Sequence, residues 1–292
     1  EEVDFGLNVE MQEDGISLGK IINNGNEYDL EVKLPKKDLN KHIFVTGVTG
    51  SGKTTTCCKI LYESGLPFFV IEPAKTEYRS LMNYDDILVF TLGKETIAPF
   101  RLNPFEFFQG ENISSRVDMI KAAIESSFHM EAAIPQIIEA GIYAAYEKYG
   151  WDIGTSTNRR FDDPFARGVN SFPTFDDVIR EIEKNVEKQG FDERLKKDYL
   201  GSIRARLQSL IIGSKGFMLN TPRSFDFTKL LHKKVVFELE EIKNSAEKSF
   251  VMALILINLN EALKIEYKKD RQFQHITLIE EAHRLLSRYE YG

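Results

Sequence analysis

The sequence lacks the features of secreted and membrane-spanning proteins. Its only two cysteines, Cys57 and Cys58, are neighbours, which gives no disulfide framework and is typical of a reducing compartment. We interpret them as small apolar residues of a helix. The longest apolar run is the eight residues 250–257, whereas a membrane-spanning helix needs about 18 or more. We therefore predict a cytoplasmic protein that makes no membrane contact.

A surplus of basic residues is also absent. Lys and Arg total 38 against 45 Asp and Glu in 292 residues, a formal net charge of −7. This balance excludes a domain that binds nucleic acid through a globally basic surface, although a locally basic pore is compatible with it. The charged residues (28%) and hydrophobic residues (42%) are spread along the chain, which excludes a disordered tail. The length allows about two domains, or one domain with an insertion.

Alternating strand and helix patterns predict an α/β fold with a mostly parallel sheet. Residues 16–34 alternate apolar and polar around a turn at 23–26, which predicts a β-hairpin. The run 42–46 predicts a strand that leads into a glycine-rich loop, and helical spacing follows as far as Gly65. Further apolar runs predict buried strands at 67–71, 87–92, 235–242 and 276–279.

Between about 114 and 212 the pattern is helical, apart from a polar stretch at 152–171 that we interpret as a mobile loop. Within this region Thr174 and Asp177 predict a helix start, with Thr174 as the N-cap. The prediction is an N-terminal hairpin unit in 1–40, a core formed by 41–112 and 222–292, and a helical insertion in 113–221.

The strongest motif is Gly47-Val48-Thr49-Gly50-Ser51-Gly52-Lys53-Thr54, a full match to the phosphate-binding loop pattern. Glycines let successive backbone N–H groups converge on phosphate oxygens, and the following helix N-terminus adds positive potential. In this pattern Lys53 reaches the β- and γ-phosphates and the Thr54 hydroxyl ligates Mg²⁺. The flanking strand and helix patterns disfavour the alternative, a glycine-rich turn that binds nothing. The predicted nucleotide-binding residues are Thr49, Gly50, Ser51, Gly52, Lys53, Thr54 and Thr55.

A nucleotide hydrolase also needs an acidic strand end for Mg²⁺ and a base that directs water. Three predicted strands end in acid, at Glu72, Glu238 and Glu280. Only the last has a second adjacent carboxylate, Glu281, followed by a helical pattern in 282–286. We assign Glu280 to Mg²⁺, through a water molecule, and Glu281 to polarising the attacking water. The alternative is a solvated helix start that is rich in Glu because of the helix dipole.

Five segments resemble the HerA branch of the HerA/FtsK superfamily, which also contains conjugative coupling ATPases. They are HIFVTGVTGSGKTTT, IEPAKTEYRSL, FRLNPFEF, ARLQSLIIGSKGFMLNT and HITLIEEAHRLL, and the resemblance runs from about Ile16 to Gly292. It implies a RecA-like P-loop ATPase core with a helical insertion, a hexameric ring with ATP between its subunits, and double-stranded DNA in its pore. It also supports the roles given to Lys53, Thr54, Glu280 and Glu281.

The resemblance implies further site residues. In HerA-like proteins a basic residue just before the His of the loop strand reaches the neighbouring subunit's nucleotide, and Lys41 matches it where the family often has Arg. Lysine keeps the positive charge but lacks the planar guanidinium group of arginine. The alternative is therefore that Lys41 is a solvated surface lysine with no role at the neighbouring site. Glu77 matches a family position near the site, and the match of His283 can be structural only. Glu280 stands where related ATPases often have Asp.

The predicted function is an ATP-hydrolysing hexameric motor, translocase-like or helicase-like, acting on double-stranded DNA. A second hypothesis is a hexameric ATPase platform that assembles or regulates a partner nuclease or NAD-consuming effector in phage defence. A third, a small-molecule P-loop kinase, fits adjacent Glu280 and Glu281 less well, because such a pair suits water activation. Candidate DNA contacts of a motor are Lys75, Arg79 and the loop 213–216, for which solvation or subunit packing is the alternative.

We expect two parts of HerA-like proteins to lie outside this sequence. The chain opens at Glu1 without a methionine, so we expect a fragment, with the hairpin as the end of a truncated barrel. Strands carrying a sensor residue and a trans-acting arginine are expected after Gly292. No arginine of the chain is assigned to transition-state charge, a role that some NTPases fill with a trans-acting residue. We therefore expect activity to depend on ring assembly.

Overall fold

The structure, a computed structural model, describes residues 15–23, 25–96, 98–128, 130 and 133–285. Its strands are β1 (Ile16–Asn23), β2 (Asn26–Leu34), β3 (Phe68–Glu72), β4 (Ile87–Thr91), β5 (Trp151–Asp152), β6 (Thr157–Asn158), β7 (Lys234–Glu238) and β8 (Ile276–Ile279). Its α-helices are α1 (Lys53–Ser64), α2 (Ile113–Ser127), α3 (Ile134–Lys148), α4 (Phe175–Lys188), α5 (Glu193–Ile211), α6 (Ser214–Leu219), α7 (Phe227–Leu230) and α8 (Ser245–Lys269). Its 3-10 helices are Lys36–Asn40, Glu77–Asn83 and Ala282–Leu285.

Four parallel strands form the central sheet in the order β4-β7-β3-β8. Val70 of β3 lies opposite Val236 of β7 and Leu278 of β8, so the three strands end at the same edge. Every residue of β3 is buried, as expected for a parallel strand covered by helices on both faces. The α/β fold with a parallel sheet, predicted from the alternating pattern, is confirmed.

Helix α1 follows the glycine-rich loop and covers one face of the sheet. It buries Cys57, Ile60 and Leu61, and Leu61 packs in a cluster with strand residues such as Val70. Burying one such leucine contributes about 1.5–3 kcal/mol. The helix ends at Gly65, whose φ of 69° is the left-handed conformation common at helix ends, as the pattern predicted.

Helix α8 contains the longest apolar run of the sequence. Its residues Phe250, Met252 and Leu254 are completely buried in the main core, so the run is a core helix. Helix α2 of the insertion packs on α8 through a fully buried ion pair, Arg116 Nη1 to Glu261 Oε1 at 3.1 Å. Removal of one partner of such a pair costs about 3–5 kcal/mol, because the other charge stays buried. Among the residues that the structure describes, no helix has the length and apolar content that a membrane crossing requires.

The insertion is helical, as predicted, and α4 begins at the predicted cap. The Thr174 hydroxyl accepts from the Asp177 N–H, and the Asp177 carboxylate accepts from the Thr174 N–H, which completes a capping box. The polar stretch 152–171 differs from the mobile loop that the sequence suggested. It includes β6 of a short hairpin, and the Arg223 guanidinium donates to several of its carbonyls. An arginine that lies far along the chain thus organises this loop.

Two local predictions were wrong. Residues 42–46 form no strand, because a parallel strand needs a neighbouring backbone as ladder partner, and the described sheet ends at β8 without pairing to this segment. Phe44 is accordingly 86% exposed. The strand expected at 235–242 ends at Glu238, where the chain turns. The helical pattern predicted at 282–286 is present as a 3-10 helix over 282–285, and Leu286 lies outside the described residues.

Burial also agrees with the structural interpretation of the cysteines. Cys57 is buried and Cys58 is partly buried. Burial raises the pKa of the Cys57 thiol and raises that of Cys58 to about 11. Neither thiol is therefore activated as a nucleophile. The hairpin β1–β2 is present as predicted, with Asn24 and residues 1–14 of the 1–40 unit outside the described residues.

Candidate nucleotide-binding site

The glycine-rich loop makes a tight turn into α1. Gly50 and Gly52 have φ values of 82° and 89°, a region that side-chain-bearing residues rarely adopt. A Cβ atom on Gly47 would lie 2.5 Å from Ser51 Oγ. The Ser51 N–H donates to the Val48 carbonyl at 3.2 Å, which closes the turn. Backbone geometry thus requires Gly50 and Gly52, and a side chain on Gly47 would crowd Ser51.

The N-terminus of α1 is suited to an anion. Among the described residues no side chain caps it, and its first turn contains no acidic residue. Its N–H groups and the positive end of the helix dipole therefore meet no competing acceptor from a side-chain cap. Lys53 Nζ folds over the loop and donates to the carbonyls of Gly47 at 2.9 Å and Val48 at 3.1 Å. The predicted residues 49–55 all lie in this loop and first turn, which fits a triphosphate.

Three carboxylates meet at the edge where the parallel strands end. Glu72 lies opposite Glu238 in the ladder, and Glu280 directly follows β8, whose Ile279 lies opposite Ile71. This is the edge at which α/β sheets bind ligands. The three carboxylates have different hydrogen-bonding partners, and these partners indicate a different role for each.

Glu238 is fully buried and is neutralised by a cation. Arg79 donates to both of its oxygens, from Nε at 2.5 Å and from Nη2 at 2.6 Å, and the Thr91 hydroxyl donates at 3.1 Å. A bidentate pair of this kind is among the strongest charge-assisted contacts. Glu238 is therefore satisfied as a structural anchor of the 3-10 helix Glu77–Asn83.

Glu72 is buried without a cation. Its Oε1 accepts the Glu77 N–H at 2.8 Å, whereas its Oε2 has no partner among the described residues. Burial raises the pKa of Glu72 to about 7, although backbone N–H groups of Glu77 and Tyr78 act in the opposite direction. The carboxyl group thus fixes the turn between β3 and the 3-10 helix.

Two consecutive residues of that 3-10 helix contact the two predicted Mg²⁺ ligands. The Thr54 hydroxyl lies close enough to the Glu77 carboxylate to help lower its pKa. The buried Tyr78 hydroxyl donates to Glu280 Oε1 at 2.6 Å. The hydrogen bond from Lys75 is the largest cause of the lowered pKa of Glu77, and the charge of Lys53 adds to this effect. The loop and the end of β8 are thus brought together.

Sequence reasoning missed Tyr78. It is part of the segment IEPAKTEYRSL, directly after Glu77, but a tyrosine in such a segment is usually a core residue. Burial, followed by the hydrogen bond to Glu280, raises its pKa, so the hydroxyl keeps its proton and donates. Only its position 2.6 Å from a strand-end carboxylate distinguishes it from an ordinary core tyrosine.

Glu281 and Lys41 lie in different surroundings. Glu281 is exposed, with Oε2 at 3.5 Å from His283 Nδ1, and its φ of 52° is uncommon for a residue with a side chain. Strain of this kind clusters at active sites. Lys41 is 70% exposed and pairs with Asp38 at 2.6 Å. Each of these two predicted catalytic residues thus has its own local partner.

The oxygen donors present suit Mg²⁺ only together with a nucleotide. Within the described ranges no three His, Cys, Asp or Glu side chains form a group that could hold a metal ion by themselves. Mg²⁺ in phosphate sites is commonly held by one or two carboxylates together with substrate phosphates. The Thr54 hydroxyl and the Glu280 carboxylate, with Glu77 beside them, provide such a partial set. The residues present therefore fit the metal that the phosphate-binding motif implies.

The candidate DNA-contacting cations are all paired within the chain. Lys75 pairs with Glu77 at 2.6 Å, Arg79 with Glu238, and Lys215 of the loop 213–216 with Glu247. A phosphate contact at any of them must therefore compete with a carboxylate that is already in place.

Comparisons with known proteins place the chain in a family and support its fold. The chain matches the family described as "Helicase HerA, central domain" over residues 16–259. It also resembles the "Structure of VirB4 of Thermoanaerobacter pseudethanolicus", with a TM-score of 0.57 and 13% identity, over 81% of this chain and 82% of that one. That likeness shows the fold, which is the RecA-like P-loop fold. A comparison with curated proteins finds no match. Because the family model covers most of the chain, the protein belongs to the HerA family of P-loop ATPases.

Proposed function

We propose that this protein hydrolyses ATP as a motor acting on double-stranded DNA, and that it works as a hexameric ring. One observation carries the nucleotide part of the proposal. The 3-10 helix Glu77–Asn83 lies between the uncapped N-terminus of α1 and the end of β8, with Glu77 near Thr54 and Tyr78 hydrogen-bonded to Glu280. An anion site next to a strand-end carboxylate is the arrangement that Mg²⁺-dependent phosphoryl transfer to water needs.

Each residue has a separate role in the proposed reaction. The loop N–H groups and Lys53 bind the phosphates, and Lys53 must leave the carbonyls of Gly47 and Val48 to do so. Thr54 and Glu280 hold Mg²⁺, which neutralises charge on the β- and γ-phosphates when bound. Glu281 polarises the attacking water, and its exposed position leaves room for one. Lys41 serves a neighbouring subunit's site.

The motor part of the proposal rests on family membership and is tested by ATP turnover of the full-length protein with and without duplex DNA. A motor gives turnover that DNA stimulates, and DNA affinity that falls steeply with salt and depends little on sequence, because the contacts are to phosphates. The Lys53→Ala variant is the control, since its turnover is lost whether or not DNA is present. Strong sequence preference at high salt would count against a motor.

The second candidate function is a hexameric ATPase platform for a nuclease or NAD-consuming effector. The pairing of Lys75, Arg79 and Lys215 with carboxylates favours it, because DNA phosphates would have to compete with these carboxylates. A platform gives ATP turnover that DNA leaves unchanged and that a co-purified partner alters. The same turnover assay, with the product of a neighbouring gene added, therefore separates the two functions.

A further inference from the structure

We infer that Tyr78 is a positioning residue for Glu280: its hydroxyl holds the carboxylate in the orientation that receives Mg²⁺ bound to the nucleotide. This inference rests on the proposed function, because it concerns the metal side of the same site. Neither the phosphate-binding motif nor the pattern of strand-end acids predicts a role for Tyr78.

The hydrogen bond itself sets the orientation of the carboxylate. Tyr78 donates to Glu280 Oε1 at 2.6 Å, which engages one oxygen and leaves Oε2 for the metal or its water. A glutamate side chain at the end of a strand otherwise samples many rotamers, and ordering it has an entropic cost. A donor at one oxygen reduces that cost before the metal binds, as partners of metal-binding carboxylates generally do.

The hydroxyl can act as a fixed reference because the ring is immobile. Tyr78 is completely buried, in a cluster with residues of α1 and of the central sheet. The members of this cluster are Cys57, Leu61, Phe68, Val70, Tyr78, Leu81, Ile87 and Val236. In a close-packed environment of this kind the ring has no second rotamer to adopt, so the hydroxyl stays where the core places it.

The backbone that carries Tyr78 is also held, from both sides. Glu72 Oε1 accepts the N–H of the preceding residue, Glu77, at 2.8 Å. The following residue, Arg79, is fixed by its bidentate pair with Glu238. Lys248, itself buried, donates to the Pro73 carbonyl at the start of the turn. Three independent contacts therefore maintain the place of Tyr78 relative to the sheet edge.

The same segment also lies near the other predicted Mg²⁺ ligand, because the Glu77 carboxylate is close enough to the Thr54 hydroxyl for its pKa to be lowered by it. Consecutive side chains of one 3-10 helix thus lie beside a group on α1 and hydrogen-bond to a group at the end of β8. The segment therefore lies next to both ligands, although they belong to different elements. Loss of the Tyr78 hydroxyl should release Glu280 alone and leave Thr54 in place.

The test is the Mg²⁺ dependence of ATP binding by full-length Tyr78→Phe, measured at equilibrium with a fluorescent ATP analogue. The Mg²⁺ concentration for half-maximal tight binding is expected to rise about 10-fold, the lower end of the range for losing a partner of a metal ligand. Affinity without Mg²⁺ should be unchanged, because the loop and Lys53 are untouched. An unaltered Mg²⁺ dependence overturns the inference.

The matched control is Tyr149→Phe. Tyr149 also donates to a carboxylate, Asp177 Oδ2 at 2.8 Å, but in the helical insertion. Its loss removes the same kind of hydrogen bond and should leave the Mg²⁺ dependence unchanged. If both variants change it equally, the effect of Tyr78 is general destabilisation and the inference is wrong.

Two further variants separate positioning from structure. In a Glu280→Gln background, Tyr78→Phe should not change the Mg²⁺ dependence of ATP binding further, because Tyr78 acts through the Glu280 carboxylate. If Tyr78→Phe changes the Mg²⁺ dependence as much in this background as in the native protein, the inference is contradicted. Replacement of Tyr78 by 4-aminophenylalanine keeps a donor at the ring end and should behave like the native residue, whereas a 10-fold loss there refutes positioning. If the native chain itself binds no Mg²⁺-ATP, the proposed function fails instead.

Discussion

Glu72 and Glu238 lie directly opposite each other on neighbouring parallel strands, yet only Glu238 has a cation. Arg79 neutralises Glu238, whereas the environment of Glu72 favours its protonated form. Burial disfavours the charged form of Glu72 and raises its pKa to about 7, and the nearby charge of Glu238 adds to this effect. Glu72 therefore titrates within the physiological pH range.

This pair predicts a pH-dependent stability that Glu72→Gln removes. The pKa of Glu72 is about 7 in the folded protein and about 4.5 when unfolded, so native stability falls as pH rises from about 4.5 to 7 and stays reduced above it. The free energy of unfolding of Glu72→Gln, taken relative to that of the native protein, should therefore rise by about 1–3 kcal/mol between pH 5 and pH 8. Urea unfolding at both pH values measures this, with the 81%-exposed Glu193→Gln as the control. If the free energy of unfolding changes equally with pH in the native protein and in Glu72→Gln, the raised pKa of Glu72 is contradicted.

Lys53→Ala should weaken Mg²⁺-ATP binding by about 10- to 100-fold or abolish it, because it deletes charge-assisted hydrogen bonds to the β- and γ-phosphates. Lys59→Ala is the matched control, since Lys59 lies on the same helix but pairs with Glu63 at 3.7 Å. Isothermal titration calorimetry on both variants checks this. Equal affinities of Lys53→Ala and Lys59→Ala would remove Lys53 from the site.

Glu281→Gln should retain nucleotide while hydrolysis falls roughly 10²- to 10⁴-fold, the usual contribution of a general base. Glu280→Gln should instead raise the Mg²⁺ requirement, because the amide is a poorer metal ligand. Single-turnover hydrolysis and nucleotide binding are measured on both variants. If Glu280→Gln spares binding and stops turnover while Glu281→Gln is mild, the two roles are exchanged.

Mixed rings should show whether Lys41 acts on a neighbour's nucleotide. Subunits carrying Lys53→Ala are mixed with subunits carrying Lys41→Ala, and ATP turnover is measured after ring formation is verified. Partial recovery is expected, because a site with intact Lys53 can receive Lys41 from the adjacent subunit. Absence of recovery in rings shown to be mixed would leave Lys41 as a surface lysine paired with Asp38.

Local patterns predicted much of the fold and the phosphate-binding loop. The loop 47–54 follows from glycines that permit its positive φ values, and Gly65 and the Thr174 capping box follow from short-range hydrogen bonding. The strands at 67–71 and 276–279 followed from apolar runs, and the structure has them at 68–72 and 276–279. These features depend on residues a few positions apart, so the amino-acid sequence alone was enough to predict them.

Tertiary structure alone decided which polar groups meet at the sheet edge. Tyr78 and Glu280 are 202 positions apart, and Arg79 and Glu238 are 159 apart, so their contacts depend on strand order, which periodicity does not encode. The same reason explains residues 42–46, whose apolar pattern predicts a strand although the described residues supply no ladder partner. Local sequence thus determined the glycine-rich loop, whereas the order β4-β7-β3-β8 determined which acid pairs with an arginine, which is buried without a cation and which is held by a tyrosine.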